Sequence, residues 1–198
     1  KDTEGFGGLY ADAAKLAEMA AGLKANGLAM STGHFSLDQI EKTPDFVIEI
    51  ARTLGMKKVY CPYVMPADRP TDGAGWRAFG ARLEQAGKPI VAAGYGFGWH
   101  NHDFEFVGGP DGRVPMFEIL AGGPSLEWEM DVAWVVRGGA DPFAWIKAYG
   151  SRISSATAGD RLTTVAPVKG DSPSMVRSSR GTVSGAAIAA ISTGRRFL

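Results

Sequence analysis

Apolar residues along this chain fall into short alternating runs separated by stretches with helical spacing, which predicts strands that alternate with helices. Residues 1–10 read as a strand end and a glycine-rich loop. Leu16, Met19, Ala20 and Leu23 recur at helical spacing within residues 11–24, and Asn26-Gly27 supplies the stop. A short apolar run at 28–30 continues through Ser31-Thr32-Gly33 to His34, so that a strand delivers this histidine to a loop. Thr43-Pro44 gives a cap and a first-turn proline to a helix with the face Phe46, Val47, Ile50 and Leu54, ended by Gly55.

Residues 58–63 predict the next strand. A helix beginning near Thr71 carries Trp76, Phe79 and Leu83 on one side, and Pro89 is expected to end or kink it. Residues 97–102 predict a strand whose period of two puts His100 and His102 on one face, with Asp103 and Glu105 where a loop begins. A Gly109-Pro110-Asp111-Gly112 turn precedes a short helix over 115–120. Leu126, Trp128 and Met130 alternate with Glu127, Glu129 and Asp131, a strand with one apolar and one acidic face. Asp141-Pro142 caps a helix carrying Phe143, Trp145, Ile146 and Tyr149, closed by Gly150. Residues 151–180 lack sustained periodicity and read as a long irregular loop, and a small-residue helix is expected after Thr182. The whole of 1–198 is expected to form a single partial domain, with 151–182 as its irregular segment.

Strands alternating with helices of this length argue for βα units and a parallel sheet. Gly94-Tyr95-Gly96-Phe97-Gly98 precedes a strand instead of a helix, so a dinucleotide-binding turn has no support. Composition narrows the class further. The chain has 198 residues, 45% hydrophobic, with 21 basic and 21 acidic side chains, so it lacks the basic excess that a nucleic-acid partner requires. No apolar run approaches the ~20 residues of a membrane span. Cys61 is the single cysteine, which excludes an intrachain disulfide and a cysteine zinc cluster and makes the cytoplasm the expected location. The chain opens on Lys1 without a methionine, as expected for a segment that begins inside a longer protein.

The chemistry concentrates in residues 96–106, which gather two of the three histidines with two carboxylates. Polar groups bunched after an apolar run lose solvation unless something pairs with them. A divalent ion or a polyhydroxy substrate supplies that pairing.

In order along the chain, Thr32-Gly33-His34-Phe35, Tyr60-Cys61-Pro62-Tyr63, His100-Asn101-His102-Asp103-Phe104-Glu105-Phe106, Glu129-Met130-Asp131-Val132-Ala133-Trp134 and Gly138-Gly139-Ala140-Asp141-Pro142 carry a likeness. Together they resemble the xylose-isomerase-like TIM barrels, the sugar phosphate isomerases and epimerases, over residues 5–153. The resemblance implies an incomplete (β/α)8 barrel acting on a small sugar or sugar phosphate. It also implies a divalent ion, manganese, magnesium, cobalt or zinc, that polarises a carbonyl while a carboxylate moves a proton between carbons through an enediolate. Carried over by position, Glu105 is the first metal ligand and the catalytic carboxylate, with His100 as its rival, and Asp131 is the ligand on the next strand. His34, His100 and His102 then contact substrate.

Relatives place a His-Val-Lys-Asp type sequence on the strand after Ile153, where this chain has Ser154-Ser155-Ala156-Thr157. Their last acidic ligand lies beyond a segment similar to Thr193-Gly194-Arg195-Arg196-Phe197-Leu198. Two of the four implied ligands therefore lack a counterpart. The resemblance implies seven strands at most and an open seam that invites association of copies as a homo-oligomer. Two other readings share the barrel: a non-catalytic polyol binder that has lost its metal centre, and a keto-polyol dehydratase. Cleavage at abasic DNA fits poorly with zero net charge and three histidines.

Overall fold

A computed structural model describes residues 12–157. Within them five strands, β1 (Thr32–His34), β2 (Lys58–Cys61), β3 (Gly96–His100), β4 (Glu127–Asp131) and β5 (Ile153–Thr157), pair side by side in chain order, every pair parallel. The helices are α1 (Ala13–Ala25), α2 (Leu37–Lys42), α3 (Pro44–Leu54), α4 (Gly73–Ala92), α5 (Pro115–Gly122), α6 (Val132–Arg137) and α7 (Pro142–Tyr149). Among the described residues no helix is long and apolar enough to cross a membrane.

The sheet is curled. In a flat sheet, strands three places apart stand roughly 14 Å from one another. Yet His34 of β1 touches Glu129 of β4, and the Tyr60 hydroxyl of β2 lies 2.8 Å from the Ser154 hydroxyl of β5. Lys58 likewise reaches Glu127 at 2.6 Å across the concave side. These contacts make the sheet a half-barrel whose polar residues face inward.

Alternation sends the other side chains outward. Val59, Cys61, Phe97, Trp99, Trp128 and Met130 are buried between the sheet and its helices. They meet Val47 and Ile50 of α3, Phe79, Leu83 and Ile90 of α4, and Met116 and Ile119 of α5 in one continuous core. Helices α4 and α5 approach closely because Gly80 faces the Ile119 carbonyl and Gly122 the Arg77 carbonyl, where a Cβ would collide with backbone.

Several local expectations change. Pro89 does not end its helix, since α4 runs to Ala92. The carbonyl that a proline leaves unpaired belongs to Gln85, an exposed residue on the solvent side of the helix. Thr43 stands at the start of α3, but its hydroxyl donates to the Gln39 carbonyl of α2 instead of capping. Helix α2 itself was readable from Ser36 and Gln39, which form a reciprocal capping box. Ile153–Thr157 is a strand on the β4 edge and not the beginning of an irregular loop. The rest of that loop, the helix after Thr182 and the strand end before Tyr10 lie outside the described residues.

Candidate metal centre

Three side chains converge inside the curl, two of them at the C-terminal ends of their strands and the third at the middle of β4. His34 closes β1, His100 closes β3, and Glu129 projects from the acidic face of β4. The Glu129 carboxylate meets His34 Nε2, and the same oxygen lies 3.0 Å from His100 Nδ1. One ligand atom from each residue falls within 4.8 Å of the other two. The two imidazole rings are 4.6 Å apart between centroids. His100 and Glu129 are buried and His34 is the exposed member, which leaves an approach from the barrel mouth.

Burial works to raise the Glu129 pKa, but hydrogen bonds from His100 and His34 outweigh it and hold the carboxyl down at about 2. It is therefore an anion at neutral pH. Two imidazoles and one carboxylate converging from separate strands fit a borderline divalent ion, because the set mixes nitrogen and hard oxygen and lacks thiolate.

Strand β3 stops at His100, two residues short of the predicted end, and His102 follows in the loop with its ring still beside that of His100. The cause is Asn101. Its side-chain oxygen accepts from the Asp131 amide at 2.9 Å and from the Trp128 indole at 2.8 Å, while its amide donates to the Asp131 carbonyl at 3.1 Å. These bonds clamp the end of β3 to β4 and turn the chain, a role that sequence reading missed, although an Asn between two histidines is a turn signal.

His102 enters a cluster of rings. It lies 4.9 Å from Tyr63, 5.1 Å from Trp134 and 5.3 Å from His100 between centroids. Burial lowers its pKa to about 4, helped by the neighbouring His100, so the imidazole is neutral at pH 7. Its Nδ1 is buried without a hydrogen-bond partner among the described residues.

Glu105 lies elsewhere. Its carboxylate accepts from the Trp99 indole at 3.0 Å and from the His102 amide at 2.9 Å. Trp99 and His100 point to opposite faces of β3, so Glu105 lies on the helix side of the sheet, away from His34 and Glu129. Burial raises its pKa to about 8. Asp131 is buried at the end of β4, where one oxygen caps α6 through the Ala133 and Trp134 amides and the other accepts from the Thr157 hydroxyl at 3.0 Å. Of the residues singled out from the sequence, the structure thus brings His34 and His100 together, sets His102 beside them, and keeps Glu105 and Asp131 in separate bonds. Glu129, noticed only as part of an acidic face, is the carboxylate between the histidines.

No protein-family profile and no curated protein matches this sequence. Solved structures do resemble it. Two sugar phosphate isomerase/epimerases from Parabacteroides distasonis superimpose with TM-scores of 0.64 and 0.60 at 20% and 22% identity, covering 71% and 75% of this chain. The IOLI protein with a bound zinc atom gives 0.51 at 15% identity over 73% of this chain and 55% of its own. The chain spans 57% and 65% of the length of the two Parabacteroides proteins. At these identities the likeness shows the fold, an incomplete TIM barrel of the xylose-isomerase-like type.

Proposed function

We propose that this chain carries the metal-binding part of a sugar or sugar phosphate isomerase or epimerase, with the ion held by His34, His100 and Glu129. The convergence of these three groups, with both histidines at the C-terminal ends of their strands, supports the reading most, because that end is where such barrels do their chemistry. When bound, a manganese, magnesium, cobalt or zinc ion would polarise a carbonyl and its neighbouring hydroxyl and acidify the C–H between them.

The chain's own residues take defined parts. Neutral His102, whose ring lies beside that of His100, offers its other ring nitrogen, Nε2, to a sugar hydroxyl. Tyr63 and Trp134 flank that imidazole and supply faces for the C–H side of a sugar ring. Glu105 fixes the turn that carries His102, and Asp131 anchors α6 beneath the mouth, so both are positioning residues in this proposal. The reading also places the protein in the cytoplasm, in keeping with a lone buried Cys61, and predicts pairing of copies along the sheet edges.

Hydrogen exchange from solvent tests the reading. The full chain with manganese and a panel of ketoses in heavy water is expected to place deuterium on the carbon next to the carbonyl, and chelation or His100→Ala should abolish it. Sugar binding indifferent to chelator, with no exchange from any ketose, would overturn the enzyme reading in favour of a non-catalytic polyol-binding barrel.

A further inference from the structure

Most arginines of the described residues meet a carboxylate: Arg52 with Glu49, Arg77 and Arg113 with Glu118, Arg82 with Glu41, and Arg137 with Asp103. Arg152 lacks one but donates to the carbonyls of Leu126 and Gly123. Arg69 is the exception that needs an explanation. It is half-buried in the loop after β2, and no carboxylate of the described residues lies within ion-pair distance. Its Nε donates to the Val64 carbonyl at 3.2 Å and its Nη2 to the Tyr63 hydroxyl at 2.8 Å. Its guanidinium carbon sits 3.5 Å from the centre of the Phe104 ring. Two of five N–H donors are thereby spent, and the group is held in one orientation with the rest uncommitted.

Open space adjoins the group. A cleft of about 500 Å³ between the loops after β2 and β3 is lined by Arg69, Trp76, Asp103, Phe104 and Pro115. The nearest acid in it, Asp103, is already paired with Arg137 at 2.9 Å. Ring contacts lead from His100 through His102 and Tyr63 to Arg69, so that two rings stand between the metal centre and the guanidinium. A cation removed from part of its water, stacked on an aromatic face and without an ion-pair partner among the described residues, loses solvation that an anion would restore.

We propose that Arg69 forms an anion subsite that binds a phosphate or carboxylate on the far end of the substrate. The proposal deepens the isomerase reading by naming the substrate as an anionic sugar, but the subsite itself needs no metal. That separates the two in experiment.

Inorganic phosphate and acetate are titrated separately into the full chain by calorimetry in the presence of a chelator. The subsite predicts binding of at least one, with phosphate alone indicating a sugar phosphate and acetate alone a sugar acid. Arg69→Gln should weaken that binding at least tenfold with circular dichroism unchanged, and Arg69→Lys should weaken it less. Asp103→Asn removes the acid that faces the cleft and should tighten binding several-fold, a result that folding damage at position 69 could not produce. Absence of binding by the parent, or equal binding by parent and Arg69→Gln, overturns the subsite while leaving the metal centre untouched.

Discussion

Glu105 shows how one buried side chain couples fold to pH. Burial raises its pKa to about 8 from the ordinary 4.5. Between those values the unfolded chain has released the proton and the folded chain has kept it, so stability falls as pH rises and levels off above about 8. The loss is on the order of a few kcal/mol. Glu105→Gln should flatten the decline when urea midpoints are compared from pH 5 to pH 8, and an unchanged slope would show that the group titrates normally. At this scale the sequence was half legible. It drew attention to the histidines and to the acids around them, but motif position favoured Glu105 and Asp131, whereas His34 and His100 converge on Glu129. That choice depends on how strongly the sheet curls, because only the curl brings β1 against β4, and no local pattern encodes it.

Among the elements, the β3–β4 junction is the critical one. Asn101 satisfies the Asp131 amide and carbonyl and the Trp128 indole, all buried. Asn101→Ala leaves these three groups unpaired and should cost at least about 3 kcal/mol in urea unfolding, since each buried unsatisfied polar group carries roughly 1–3 kcal/mol. A change below about 0.5 kcal/mol would mean that the clamp is not what ends β3. The strand-helix alternation itself was readable because β4 alternates apolar and polar positions and α3 keeps one apolar face. The short elements were not. Helix α6 has only six residues, too few to show a period, and β5 carries Ser154, Ser155 and Thr157, which lack the apolar alternation of a half-buried strand. Pairing with β4 holds it in place instead.

For the whole molecule, three contacts across the concave face, His34 with Glu129, Tyr60 with Ser154 and Lys58 with Glu127, hold five strands in a half-barrel. An ion bound by His34, His100 and Glu129 would tie β1, β3 and β4 together, so metal binding and the curl support each other. The most direct test of the account is metal content by elemental mass spectrometry on the full chain after loading with manganese or zinc and dialysis, with Glu129→Gln and Asp131→Asn alongside. One equivalent should be retained by the parent and by Asp131→Asn, and none by Glu129→Gln. Equal retention by Glu129→Gln and the parent, or no retention by the parent, would contradict the account.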